Sequence, residues 1–124
     1  MEIILVRHGA KEGTGKDPVL SAKGKKQLPF LVRRFRTTRI TALYCSPLLR
    51  ARHTASPLQP LFSLSPEVIP ALAEFFPSSM LRTPQRSWTL KRRAHYTSLR
   101  TFLRLLSAEK TSDSTILIVA HGFT

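Results

Sequence analysis

Residues 3–9 read IILVRHG, and this stretch decides how the chain folds. Its first four residues form an apolar, mostly β-branched run, which predicts a short buried strand. Residues 115–122, TILIVAHG, repeat the arrangement near the other end of the sequence. Strands that are apolar throughout are typical of parallel sheets, because helices cover both faces of such sheets. We therefore expect two parallel strands here, each ending at a His-Gly pair.

The sequence between these two strands alternates between helix and strand patterns. Four residues with i, i+3, i+4 and i+7 spacing predict one face of a helix: Leu28, Leu31, Val32 and Phe35. Ser21 is the expected N-cap of this helix, and Pro29 should kink the helix or delay its start. Residues 40–45 predict a second strand, followed by a helix with Ser46 as N-cap and Pro47 as its first residue.

The second half of the chain completes the alternation. Residues 68–69 predict a short third strand, and residues 89–106 predict a long helix before the strand at residues 115–120. Strands and helices in this order imply a single α/β domain over residues 1–124, with a mostly parallel sheet flanked by helices.

Composition and charge narrow the classes of function. The 124 residues include 20 Lys and Arg but only 7 Asp and Glu, which gives a net charge of +13. No acidic residue occurs in residues 18–66. A field of this sign attracts phosphorylated metabolites, nucleic acid or acidic protein surfaces. Cys45 is the only cysteine, and neither a membrane-spanning run nor a signal-peptide pattern is present, so we expect a cytoplasmic protein without membrane contact.

Three expected strand ends bring reactive side chains to one edge of the sheet. His8 and His121 each follow an apolar strand directly, and ligands bind beyond the carboxyl ends of strands in open α/β sheets. Arg50 falls in the first turns of the helix after the second strand, near the positive end of that helix dipole. Together with Arg7, it predicts an oxyanion cradle beside two imidazoles, because guanidinium groups match the geometry of phosphate.

These motifs resemble those of the histidine phosphatase (phosphoglycerate-mutase-like) superfamily. Residues 5–9, LVRHG, look like its defining Arg-His-Gly motif, and residues 20–27, LSAKGKKQ, are similar to its Leu-Ser/Thr-x-x-Gly-x-x-Gln segment. Residues 46–55, SPLLRARHTA, match its Ser-Pro-Leu-x-Arg-Ala-x-x-Thr-Ala pattern, and residues 119–122, VAHG, resemble its second-histidine motif. The four motifs occur in the family's order, and the chain most resembles the compact phosphohistidine-phosphatase-like members.

The resemblance implies a role for each matching residue. His8 is the expected nucleophile, and Glu74 is the expected general acid. The expected phosphate ligands are Arg7, Arg50 and His121. The implied activity is that of a phosphatase, a phosphoric monoester hydrolase, that acts through a phosphohistidine intermediate without a metal or cofactor. Its expected substrate is a phosphomonoester or a phosphohistidine, carried by a small molecule or a phosphoprotein.

Two alternative functions stay open at this point. A phosphomutase of the same superfamily would use the same residues, although the long insertion of the larger mutases is missing between residues 74 and 121. A non-catalytic protein on this fold would use the basic surface to bind a polyanion such as nucleic acid. The sequence disfavours this second alternative, because it has no known nucleic-acid module and no aromatic residues interleaved with its basic runs.

The sequence departs from the family pattern at three places. Residues 10–11, AK, replace the Glu-Thr/Ser pair of many members, and residues 75–77, FFP, replace the Gly-x-Trp-Glu-Gly stretch that follows the acid in longer members. The sequence also stops at Thr124, where the family fold continues with a further helix and strand. We therefore expect an exposed sheet edge, which would allow a homodimer, and a loosely held His121 with reduced catalytic efficiency.

Overall fold

The computed structural model describes residues 1–13, 15, 17–73, 90–109 and 113–121. Its elements, in chain order, are β1 (Glu2–Arg7), α1 (Ala22–Phe35), β2 (Ala42–Cys45), α2 (Leu49–Ala55), α3 (Leu58–Phe62), β3 (Glu67–Val68), a short 3₁₀ helix (Pro70–Leu72), α4 (Leu90–Glu109) and β4 (Thr115–Ala120). The described strands form one parallel sheet in the order β1-β4-β2-β3. The predicted fold class, an α/β fold with a mostly parallel sheet flanked by helices, is confirmed.

Strand β4 lies at the centre of the sheet and sets the level at which its neighbours end. Val119 is paired with Val6 of β1 on one side and with Cys45 of β2 on the other. The ladder continues one residue further, because the His8 N–H donates to the Ala120 carbonyl at 3.0 Å and the Ser46 N–H donates to the Val119 carbonyl at 3.0 Å. The residues that follow β1, β2 and β4 therefore meet at one edge of the sheet.

Helices cover both faces of this sheet. Leu117 and Val119 of β4 pack with Leu43 and Cys45 of β2 against residues of α1, α2 and α3. Ile116 and Ile118 point to the opposite face and pack with Leu106 of α4 and with the 3₁₀ helix. The four consecutive apolar residues of β4 are fully buried. Complete burial from both sides explains why this strand is apolar throughout.

Strand β1 is less covered than its apolar sequence predicts. It pairs only with β4 among the described strands, and Ile3 and Leu5 are 37% and 66% exposed. The prediction of a buried strand is therefore wrong for this face of β1. An exposed sheet edge was expected, and the homodimer that would cover it stays a prediction.

Two helix starts test the sequence-based capping rules. Ser21 is the N-cap of α1, since its Oγ accepts the Gly24 N–H at 3.1 Å. The prediction that Pro29 delays the start of this helix is wrong, because α1 begins at Ala22 and continues through Pro29. The expected cap at Ser46 is also wrong, since α2 begins at Leu49 and the Ser46 hydroxyl is used elsewhere.

No helix among the described residues is long and apolar enough to cross a membrane. Glu74 lies outside the described residues, as does Gly122 of the second His-Gly pair.

Candidate active site

His8 follows β1 directly and lies half-buried at the carboxyl edge of the sheet. Its Nδ1 is 2.7 Å from the carbonyl oxygen of Gly9, and because a carbonyl only accepts, Nδ1 must carry the proton. Burial, together with the charges of Arg50 and Arg7, lowers the pKa of His8 below its usual value and outweighs the effect of the Gly9 bond. The ring is therefore neutral at neutral pH, and its lone pair lies on Nε2.

Arg50 lies between the two histidines. Its Nε donates to Nε2 of His8 at 3.3 Å, and its Nη2 is 3.3 Å from Nδ1 of His121. Nη1 of Arg50 is buried and has no hydrogen-bond partner among the described residues. An unsatisfied buried donor costs about 1–3 kcal/mol, and more when the group is charged. The guanidinium thus contacts the two imidazoles through Nε and Nη2 and keeps a desolvated donor on Nη1.

His121 stands at the end of β4 beside His8. The two ring centroids are 5.1 Å apart, with their planes inclined at 60°. A guanidinium can only donate, so Nδ1 of His121 accepts from Arg50, and the proton on Nε2 is donated to Ser46 Oγ at 2.9 Å. Burial is the largest cause, and the charge of Arg50 the second, of the lowering of the pKa of His121 from 6.5 to about 4. This histidine is neutral as well.

Two buried hydroxyl groups hold these side chains in place. Thr54 Oγ1 accepts the Gly9 N–H at 3.0 Å and donates to the carbonyl of Arg50 at 2.7 Å, so it joins the backbone beside His8 to helix α2. Ser46 Oγ accepts the Leu48 N–H at 3.2 Å in addition to the His121 contact. Thr54 and Ser46 are 2% and 0% exposed. Hydrogen bonds of this kind hold functional side chains in a fixed orientation.

The loop after His8 is fastened to helix α1. The Ala10 N–H donates to Gln27 Oε1 at 2.8 Å, and the Ser21 hydroxyl donates to the Ala10 carbonyl at 3.1 Å. A Cβ atom placed on Gly24 would lie only 2.2 Å from that carbonyl oxygen, so the close approach requires glycine. Ser21, Gly24 and Gln27 thus fasten the loop to the helix.

Arg7 borders the site from the end of β1. It lines a cavity of about 350 Å³ whose wall includes His8, Gly9, Gln27 and Thr54. Its charge contributes to the lowered pKa of both histidines, which places it within electrostatic reach of them. The structure therefore brings four of the five predicted site residues to one sheet edge, and the fifth, Glu74, lies outside the described residues.

Asp17 is a site residue that the sequence did not reveal. Its Oδ1 accepts the N–H of Leu49 at 2.9 Å and so caps helix α2 one residue before Arg50. Its charge also partly opposes the lowering of the pKa of His121. No local pattern joins residues 32 positions apart, and the Ser-Pro pair offered a nearer candidate for the cap.

The site thus lies in an α/β fold, where parallel strands end at two neutral histidines bridged by an arginine, an arrangement whose donors can hold an oxyanion. The chain belongs to the histidine phosphatase superfamily (branch 1), whose family model matches residues 3–102. No curated protein sequence matches it significantly.

Solved structures share the fold at low sequence identity. A mycobacterial glucosyl-3-phosphoglycerate phosphatase is 20% identical with a TM-score of 0.72, and the match covers 95% of this chain and 72% of that one. The alpha-ribazole phosphatase of Shigella flexneri is 24% identical with a TM-score of 0.74, covering 98% and 74%. The protein histidine phosphatase SixA, complexed with tungstate, is 20% identical with a TM-score of 0.66, covering 98% and 69%.

Proposed function

We propose that this protein is a phosphatase that transfers the phosphoryl group of a phosphomonoester or phosphohistidine to Nε2 of His8, and from there to water. The arrangement of Arg50 supports this proposal above all. Its Nε and Nη2 each contact a histidine, and its buried Nη1 has no hydrogen-bond partner among the described residues. A phosphoryl group placed against Nε2 of His8 would lie beside the Nε and Nη2 donors of this guanidinium. Family membership and the phosphatases that share the fold agree with the proposal.

In the first step, the Nε2 lone pair of His8 attacks phosphorus. An N–P bond forms, the bond from phosphorus to the leaving oxygen or nitrogen breaks, and a proton reaches the leaving atom. The Nδ1 proton stays on the ring, where the Gly9 carbonyl 2.7 Å away stabilises the positive charge that develops on the imidazole. A covalent intermediate of this kind replaces one difficult displacement by two easier ones.

In the second step, water attacks phosphorus and the N–P bond breaks. Inorganic phosphate leaves, and the proton of the attacking water passes to a base. We propose Glu74 for both proton transfers, as the family resemblance implies. Arg50 and Arg7 would neutralise the charge on the non-transferred oxygens during both steps, which is the main catalytic requirement of phosphoryl transfer.

The proposed role of His121 is to bind the same phosphoryl group. Its Nδ1 accepts from Arg50 in the free site, so it offers no donor there. When an anion draws the guanidinium away, Nδ1 is left facing negative charge, which raises the pKa of the ring. A proton bound at Nδ1 would then donate to a phosphoryl oxygen.

The test is hydrolysis of p-nitrophenyl phosphate in the presence of a chelator. The wild type should retain its activity, since the proposed mechanism uses no metal, and His8→Ala should abolish it. His53→Ala is the matched control, because His53 is exposed on α2, the helix that carries Arg50. Alkaline quenching and mass spectrometry should find a phosphoryl adduct on His8 in the wild type. Full activity in His8→Ala would refute the proposal, and loss of activity restored only by a divalent metal would refute metal independence.

A further inference from the structure

The outer face of α1 carries a second pattern, which extends beyond the catalytic site. Six residues at i, i+3, i+4 and i+7 spacing form one continuous face, here named the α1 stripe: Lys23, Lys26, Gln27, Phe30, Arg33 and Arg34. All six are exposed. Four of them are cations, α1 carries no acidic residue, and none occurs anywhere in residues 18–66. The stripe is therefore a concentrated positive field without local neutralisation.

An aromatic ring stands in the middle of this field. Phe30 is 66% exposed, and the guanidinium carbon of Arg33 lies 5.7 Å from its ring centroid. A merely solvated basic helix has no need of an exposed phenyl ring at its centre, whereas aromatic and arginine side chains together are typical of binding surfaces. The stripe thus offers an apolar contact between two pairs of cations.

The α1 stripe is continuous with the catalytic cavity. Gln27 and Phe30 line the same 350 Å³ cavity as His8. From Lys23 to Arg34 the helix rises about 16 Å, at roughly 1.5 Å per residue. A ligand that places a phosphoryl group at His8 can therefore extend along the stripe for about five residues of extended chain, at roughly 3.3 Å per residue.

We propose that the α1 stripe is a docking surface for an acidic segment of a phosphorylated protein, whose phosphoryl group is presented to His8. Acidic side chains of this segment pair with the lysines and arginines, and an apolar side chain packs on Phe30. The assignment of the segment as substrate rests on the proposed function. A nucleic-acid strand fits less well, because it needs successive aromatic platforms for its bases, and the stripe offers one.

The docking test measures binding alone. The probes are two fluorescein-labelled peptides that carry the same non-hydrolysable phosphonate analogue of phosphotyrosine, one flanked by glutamates and the other by glutamines. Fluorescence anisotropy at low salt should show the wild type binding the glutamate peptide about tenfold more tightly, with the preference declining as salt is added. Lys26→Glu/Arg33→Glu should abolish the preference, and Phe30→Ala should weaken both peptides.

Arg100→Glu/Arg104→Glu is the matched control, because it makes the same change in charge at exposed positions of α4. It should preserve most of the preference for the glutamate peptide. Equal affinity of the wild type for both peptides would overturn the proposal, as would equal losses in the two double variants. Displacement of the peptide by a single-stranded oligonucleotide of equal charge at lower concentration would reassign the stripe to nucleic acid.

Turnover of p-nitrophenyl phosphate separates this proposal from the proposed function. The Lys26→Glu/Arg33→Glu variant should hydrolyse it at the wild-type rate, because neither of these side chains lines the cavity beside His8. If the wild type fails to hydrolyse it but discriminates between the peptides, the docking surface stands and the phosphatase proposal fails. If hydrolysis is normal and the peptides bind equally, the phosphatase proposal stands and the docking surface fails.

Discussion

Thr54→Val tests whether the hydroxyl that joins the two halves of the site stabilises them. Valine has nearly the same shape, so the substitution leaves no cavity at this 2% exposed position and removes only the hydrogen bonds. The buried Gly9 N–H loses its 3.0 Å acceptor, which costs about 1–3 kcal/mol. Loss of the bond to the Arg50 carbonyl adds only about 0.5 kcal/mol, because that carbonyl keeps access to a helical N–H.

The expected total of about 1.5–3.5 kcal/mol should lower the Tm by about 5–17 °C for a domain of this size. The aim of His8 depends on the adjacent Gly9 peptide, so kcat toward p-nitrophenyl phosphate should fall by about tenfold or more while KM changes less. Thr54→Ser is the control, since it keeps the hydroxyl and removes one methyl group. If the valine variant is as stable and active as wild type, or more stable than the serine variant, the reasoning about this clamp is wrong.

Three other changes test separate parts of the site. Arg50→Lys should lower kcat/KM toward p-nitrophenyl phosphate by about 10²-fold, because an ammonium cannot contact both histidines and a phosphoryl oxygen; wild-type kinetics would contradict this. Folding lowers the pKa of His121 from 6.5 to about 4, so the unfolded chain binds the proton more readily. The free energy of unfolding should therefore increase as the pH is raised from about 4 to 6.5. Solvent screening reduces this increase to about 1–2 kcal/mol. Urea titrations at several pH values should show that His121→Asn lacks this part of the pH-dependent increase. Gly24→Ala should lower the Tm and slow turnover, because its Cβ would meet the Ala10 carbonyl at 2.2 Å; an unchanged Tm would exclude the tight contact.

The sequence predicted the strands, and the meeting of His8 with His121, for a physical reason. Residues 116–120 are apolar, and burial on both faces leaves little choice of element, so the predicted limits of β4 agree with the structure. His8 and His121 follow their strands directly, so the parallel pairing of β1 with β4 places them together without further information. The residue pattern along the chain and the parallel pairing of the strands were sufficient to predict this part of the fold and the meeting of the two histidines.

Features that depend on distant partners were not predictable in this way. Ser46 is of a residue type that is common at N-caps, but its hydroxyl contacts His121, 75 positions later in the sequence. Asp17 caps α2 instead, and the loop on which it lies has no sequence pattern that would predict this contact. Leu5 has a typical core side chain, yet its exposure depends on what covers its face of β1. In each case a long-range contact, or its absence, decides what a locally ambiguous residue does.

The charges of the free site suit an anion. Arg50 contacts both imidazoles, and each pKa is lowered, so neither histidine becomes protonated to add a further cation near neutral pH. The guanidinium is left with two long 3.3 Å contacts to neutral rings and with a buried Nη1 that has no acceptor among the described residues. This arrangement is less favourable than a guanidinium in water, and the described contacts do not compensate for it. In the proposed function, a phosphoryl group would supply acceptors and the opposite charge together, so binding it would remove a cost that the folded protein otherwise carries.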